Sequence, residues 1–234
     1  MSDKQFGELY ADVEAEGGVV NALRLSLRSI GSPLEVASRG AARVEKGNRF
    51  SQVYTGAKER LFIYDFWDRG VMLGDAKTPD LSAVAKSIHI WVEDRVTMRA
   101  LRATFAFVIP EEIAGPFESD TEVDWKWEML EKAVREQQHM FDLLQLVVEA
   151  KKRAELRDLF PYTSHVSLCL SRCTGYPYSG DCPYAVPDTK GAYSVFDRTN
   201  TLVGRGDAVQ AVQILIDHLP FGSGKAKKGT REDL

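Results

Sequence analysis

The chain has 234 residues, 44% hydrophobic and 27% charged, with a formal net charge of −4. That length can bury roughly 70% of the unfolded surface, and the acidic balance argues against nucleic-acid binding, which needs a concentrated basic face. No apolar run approaches a bilayer span, and the opening MSDKQFGELYADVEAEGG lacks the basic and apolar regions of a signal peptide, so a cytoplasmic location is expected.

Over 19–30, Val19, Leu23, Leu27 and Ile30 recur at helical spacing until Gly31-Ser32-Pro33 ends the run. Strands are predicted over 34–39, 42–45, 51–55 and 60–66, the last rich in aromatic and β-branched residues. Trp67-Asp68-Arg69-Gly70 reads as a hairpin turn into a strand over 71–73 that stops at Gly74. Thr78-Pro79-Asp80 starts a helix whose apolar stripe is Leu81, Val84, Ala85, Ile88 and Val92, and a second helix covers 97–103. The stretch 105–109 is apolar without a decisive period, and 110–120 is a loop or short helix with an acidic surface. Helical spacing returns at Val123, Trp127, Leu130 and Val134. It resumes at Met140, Leu144, Val147 and Val148, with Lys151-Lys152-Arg153 placed where a helix dipole favours cations.

The run HVSLCLSRCTGYPY, 165–178, gathers the rarest residue types. Val166, Leu168 and Leu170 alternate with His165, Ser167, Cys169 and Ser171, the period of a half-buried strand. Arg172 and Cys173 then give way to the turn-forming, aromatic Thr174-Gly175-Tyr176-Pro177-Tyr178. A loop over 179–191, a strand over 192–196, the turn Asp197-Arg198-Thr199-Asn200 and a strand over 201–203 follow. Asp207 caps a last helix with Val209, Val212, Ile216 and Leu219 on one face. The small, charged 222–234 is expected to be a flexible tail, disordered or draped over the surface.

Read in order, the second half copies the first. A helix, a strand ending Ser38-Arg39-Gly40, further strands, the run from Phe66 to Gly74 and a helix from Asp80 are matched in sequence. Their counterparts are a helix, a strand ending Ser171-Arg172-Cys173, the run from Val195 to Gly204 and a helix from Asp207. The expected fold class is α+β: two pseudo-repeated α-β-meander-α units with antiparallel sheet, over 1–95 and 138–221. A helical insert over 96–137 and the tail complete one compact body.

The run Phe66-Trp67-Asp68-Arg69-Gly70-Val71-Met72-Leu73-Gly74 with Asp80-Leu81, the run Leu159-Phe160-Pro161-Tyr162-Thr163-Ser164-His165, the run SRCTGYPY and the ending Leu219-Pro220 together carry a resemblance. The chain resembles an uncharacterised actinobacterial family whose members are labelled natural-product biosynthesis proteins. The resemblance spans most of the chain and implies a producer bacterium and a biosynthetic gene neighbourhood. It brings no catalytic residues with it.

Chemistry is weighed residue by residue. His165, Cys169, Cys173 and Cys182 suggest a metal, but residues four apart on a strand are roughly 13 Å apart, whereas zinc ligands converge to within about 4 Å. No metal or cofactor is therefore expected, and the three cysteines read as reduced thiols, with a Cys173–Cys182 bridge as the alternative. Arg172 would favour a Cys173 thiolate, yet His165 lies roughly 26 Å back along the strand, so His89, His139 or His218 would have to arrive through the fold. The aligned Gly40 instead suggests that Cys173 is a small core residue. Asp68-Arg69 and Asp197-Arg198 read either as anion forks or as turn caps. Arg39 and Arg172 each close an apolar strand and would flank one cleft if the strands meet, while Tyr162, Tyr176, Tyr178 and Tyr184 supply aromatic faces. No P-loop, dinucleotide fingerprint, zinc-protease motif or nucleophile elbow is present.

The resulting expectation is a protein that binds a small anionic or peptide-like intermediate in a cleft at the junction of the halves. Arg172, Tyr176, Tyr178 and Arg39 would hold the ligand, with Cys173 beside them. Whether it is turned over stays open, a cofactor-free cyclisation or condensation being the form such catalysis takes. The alternative is a non-enzymatic protein-binding module, chaperone-like or immunity-like. Nucleic acid and membrane are not expected partners.

Overall fold

The computed structural model describes residues 7–188 and 191–234. The first six positions of the expected first unit, and Thr189 and Lys190 of the expected 179–191 loop, lie outside the described residues. The chain divides into two compact units, Met1–Glu118 and Ser119–Leu234. The boundary runs through the expected 96–137 insert, assigning its first half to the first unit and its second half to the second.

In the first unit, helices α1 (Ala11–Ala15) and α2 (Val19–Ser29) precede β1 (Val36–Ser38), β2 (Ala42–Lys46), β3 (Arg49–Thr55), β4 (Phe62–Asp68) and β5 (Val71–Thr78). Then come α3 (Leu81–Val92), α4 (Met98–Thr104), β6 (Val108–Pro110) and α5 (Ala114–Glu118). The six strands pair in sequence order, every neighbour antiparallel. Alternation along β4 buries Phe62, Tyr64 and Phe66. The apolar stripe of α3, with Val84, Ile88 and Trp91 fully buried, lies across β2 to β5 and supplies the opposing layer. Asp80 caps that helix, accepting from the Ser82 amide at 2.8 Å. Within the 110–120 stretch, Ala114 and Phe117 of α5 point into the core.

The second unit opens with α6 (Glu122–Glu136), a 3-10 turn (Gln138–Leu143), α7 (Leu144–Lys151) and α8 (Ala154–Arg157). The strands β7 (Phe160–Ser164), β8 (Ser167–Ser171), β9 (Tyr184–Pro187), β10 (Tyr193–Phe196) and β11 (Leu202–Gly206) follow, then α9 (Ala208–Asp217). These five strands also form an antiparallel meander. Two of them were not predicted. Pro161 disguises β7, which is an edge strand where a missing N–H is tolerated, and prolines 183 and 187 bracket β9 inside what reads as a loop.

The repeat is visible in the sheets themselves. Phe66 faces Gly74 and Val195 faces Gly204, and in each pair the register slips at the very next residue. One position on, Trp67 stacks on Phe50 across β3 and β4 at 5.4 Å, while Phe196 stacks on Tyr184 across β9 and β10 at 5.4 Å. Each five-strand meander then runs into an Asp-capped helix, Asp207 forming a full capping box with Gln210.

This register corrects one expected equivalence. Since β3 answers to β9, the short Gly47-Asn48 turn answers to the whole loop from Arg172 to Pro183, and Arg39, after β1, answers to His165, after β7. Arg39 and Arg172 are one strand out of step, because the hidden β7 drops out of a count made on sequence.

The 222–234 segment is not a loose tail. Backbone bonds tie Ala226 to Asp158 (2.8 Å), Lys227 to Arg172 (2.8 Å) and Thr174 (3.0 Å), Gly229 to Gly175 (2.6 Å), and Arg231 to Pro177 (2.9 Å). Its small, charged side chains hide this from composition, since the main chain does the pairing. Among the described residues, no helix is long and apolar enough to cross a membrane.

Candidate functional site

The loop between β8 and β9 holds most of the residues singled out in the sequence, and it uses them largely on itself. Ser171, fully buried, accepts from the amides of Cys173 and Ser179, both at 3.1 Å, and donates to the Cys173 carbonyl at 2.7 Å. Half-buried Arg172 donates from Nε to Asp181 Oδ2 at 2.9 Å and from Nη2 to the same oxygen. That pairing raises the guanidinium pKa. Burial pushes the Asp181 carboxyl up, but the bonds from Arg172 and Ser179 outweigh it and leave the carboxyl below the usual range. Arg172 therefore closes the loop and is not a free cation.

Cys173 has no exposed surface, and burial pushes its thiol up. Burial likewise raises Cys169 and takes Cys182 up to about 12. All three are free thiols in environments that disfavour the thiolate, so Cys173 is the small core residue of the two readings. Tyr178 stacks on Tyr162 at 4.3 Å and lies 5.9 Å from Phe160, forming a ring cluster onto which Tyr176, largely exposed, sits edgewise. Arg39 belongs to the first unit, where it is exposed and 3.4 Å from Glu45. The structure thus groups Arg172, Cys173, Tyr176 and Tyr178 in one loop of the second unit.

Beside this loop lies a cleft of about 440 Å³ lined by Asp181, Asp197, Arg198, His218, Pro220 and Phe221. Three parts of the second unit build it: the β8–β9 loop, the β10–β11 hairpin and the end of α9. Asp197 Oδ1 accepts from the Thr199 amide (2.8 Å), the Thr199 hydroxyl (2.7 Å) and the Thr201 amide (3.0 Å), which hold its carboxyl low, with help from His218. Its Oδ2 makes no bond among the described residues. His218 Nδ1 lies 2.9 Å from the Ile214 carbonyl. A carbonyl only accepts, so Nδ1 donates that bond, and Nε2 is left without a partner among the described residues. Arg198 makes no hydrogen bond or ion pair among the described residues. The cleft therefore offers one guanidinium, one unspent carboxylate oxygen and one imidazole.

A second hollow of about 410 Å³, lined by His139, Asp142, Leu143, Val166 and Asp188 among others, lacks that combination. Asp188 is taken up there by Arg205 at 2.7 Å and by the Ser194 hydroxyl at 2.9 Å, and among the described residues no Lys or Arg lines it. His89 is engaged elsewhere, 2.9 Å from the Ser32 hydroxyl. Sequence reasoning met Asp197-Arg198 and His218 but did not join them. The available signal was that the second copy of the Asp-Arg turn replaces Gly70 with Thr199-Asn200, lengthening the hairpin.

Residues 121–230 match the model of a family of unknown function, DUF6193. No curated protein matches the chain, and no solved structure does. What the family model recognises runs from α6 into the C-terminal segment, within the second unit and including the cleft.

Proposed function

We propose that the second unit binds a small peptide-like ligand carrying a carboxylate, in the cleft between the β8–β9 loop, the β10–β11 hairpin and the end of α9. The observation that carries the reading is Arg198, a guanidinium without a partner among the described residues, lining the same cleft as the free Nε2 of His218. Arg198 receives the ligand carboxylate as a fork, and Asp197 Oδ2 receives an ammonium or amide N–H. Two carboxylates in the lining favour such a zwitterion over a bare anion. The volume suits a small molecule, and Pro220 and Phe221 give it an apolar wall. Turnover at this site takes the form of a cofactor-free condensation or cyclisation, with His218 moving the proton. The setting we propose is the natural-product biosynthesis implied by the sequence resemblance.

The test is ligand-observed NMR with a panel of dipeptides, on the wild type, Arg198→Ala and Arg172→Ala. Binding that is lost with Arg198→Ala and retained at reduced strength with Arg172→Ala is expected. Binding unaffected by Arg198→Ala, or no binding of any carboxylate-bearing member, rejects the site. A protein-binding role has its own support in β11, an edge strand whose Leu202 is exposed. Strand addition there would be lost with Leu202→Lys, which leaves the dipeptide cleft untouched.

A further inference from the structure

We propose that Lys126 is a nucleophilic amine that condenses reversibly with an aldehyde or ketone against the Phe160–Tyr178–Tyr162 ring cluster, a site sharing no lining residue with the cleft at Arg198. The placement starts from Trp127. Its buried indole N–H donates to the carbonyls of Arg157 (3.0 Å) and Leu159 (3.1 Å), fixing the rotation of α6 against the chain entering β7. One residue back, half-buried Lys126 holds its Nζ 5.8 Å from the centroid of Phe160. Phe160 adjoins Tyr178, and Tyr178 stacks on Tyr162. The amine therefore stands at one end of a continuous aromatic wall.

Its electrostatic surroundings are unusual for this helix. Lys151 bonds Glu128 and Glu131 at 2.8 and 2.7 Å, and Arg135 bonds Glu131 at 2.6 Å, so these two acids of α6 are engaged by other cations. Glu122, one turn before Lys126, is buried with Oε2 lacking a hydrogen bond, and burial shifts it toward the neutral acid, so it is a poor counter-ion. Lys126 itself makes no ion pair and no hydrogen bond among the described residues. Lysine stems often pack on rings while the ammonium reaches water. Here the head group is desolvated without compensation beyond a ring face, and burial alone lowers its pKa. The free amine is the form that reacts.

The chemistry needs no other reagent. Nζ attacks the carbonyl carbon, the C=O π pair moves to oxygen, and a proton passes from nitrogen to that oxygen to give a carbinolamine. Loss of water then leaves an imine, and hydrolysis reverses it. The ring wall selects carbonyl compounds with a flat or aromatic body, which meet the half-buried Tyr178 and Tyr162, Phe160 itself being covered.

Pyridoxal, a flat aromatic aldehyde, serves as the probe. The full chain is incubated with a limiting amount at neutral pH, the imine is trapped with borohydride, and the adducts are mapped by peptide mass spectrometry. Lys126 should carry the dominant adduct, labelled faster than the exposed Lys132 or Lys225. Lys126→Arg, which keeps the charge, should abolish the dominant adduct without shifting the melting temperature, and Lys126→Met provides a second variant. Even labelling across the lysines, or a dominant adduct elsewhere, overturns the proposal from the wild-type map alone. An adduct at Lys126 that disappears when Phe160→Leu opens the wall supports the role of the rings.

Discussion

In the first unit, Asp68 at the head of the β4–β5 hairpin turns inward to Arg49, whose Nε donates to it at 2.9 Å. In the second, Asp197 at the head of the β10–β11 hairpin turns to its own loop amides and faces a cleft. The hairpins share a bulge, a facing glycine and a stacked aromatic pair, so the difference lies in what stands opposite. Arg49 begins β3, whereas Pro183 precedes β9 and offers no cation. Arg49 also donates to the carbonyls of Trp91 (3.1 Å) and Val96 (2.8 Å) and lies 3.8 Å over the Trp91 ring, so one arginine ties hairpin, α3 and the chain beyond it together. The second unit lacks this tie and, in place of the Gly47-Asn48 turn, carries a long loop clamped by Arg172 and Asp181. One plan has been sealed in the first copy and opened in the second.

The sharpest way to break the comparison is to unpair the sealed copy. Arg49→Leu leaves the Asp68 carboxylate buried without its partner, and loss of one member of such a pair costs about 3–5 kcal/mol. Urea unfolding followed by hydrogen exchange in β3 and β4 should show that loss in the first unit. Asp197→Ala, the corresponding change in the open copy, should leave the midpoint of the second unit almost unmoved. Equal effects in the two would mean that Asp197 is structural and the cleft reading is wrong.

The paired glycines give a smaller contrast. A Cβ on Gly74 would meet the Ile109 carbonyl oxygen at 2.8 Å and the Met98 methyl, so backbone must shift. Gly74→Ala should cost about 1–3 kcal/mol, the range for overpacking. On Gly204 the Cβ would meet the flexible end of Ile214 at 2.7 Å, which can rotate away. Gly204→Ala should therefore shift the melting temperature less than Gly74→Ala, and the reverse order would show that α9 is held on β11 as rigidly as β6 is on β5.

The architecture was legible where side chains alternate or caps are explicit. Val84, Ile88 and Val92 announced α3, Asp80 and Asp207 announced helix starts, and the two Asp-Arg turns announced the repeat. Prolines hid the strands, because Pro161 in β7 and Pro187 in β9 carry a loop signature and only sheet position shows they do no harm. The site was legible in parts. Arg172 reads as a cation at a strand end, but its partner Asp181 lies in an irregular loop whose closure no periodicity encodes. For 222–234, disordered and draped over the surface were both open from sequence, and how the segment is pinned was not legible because its bonds are main-chain bonds, and composition reports side chains.

The thiols and phenols distinguish the units in alkaline solution. In the second unit, burial raises Cys182 from its ordinary 9.0 to about 12, and raises Cys169 and Cys173 as well. A raised folded pKa means that the folded state holds its proton where the unfolded state has lost it. The stabilising linkage is complete below pH 9.0 and is lost as the pH rises toward about 12. In the first unit, which has no cysteine, the corresponding group is Tyr64, driven up from 10.0 by burial, so its linkage begins to act a full pH unit later. At pH 10 the second unit should have lost about 1 kcal/mol from Cys182 alone, with little change in the first. Hydrogen exchange in β8 and β9 against β3 and β4, between pH 8 and 10, measures this in one sample after correction for intrinsic rates. Replacing all three cysteines by alanine should flatten the pH dependence of the second unit even if it lowers stability throughout. A dependence that survives the replacement would assign the alkaline sensitivity to the Tyr162–Tyr178 stack, and the buried thiols would then be incidental to it.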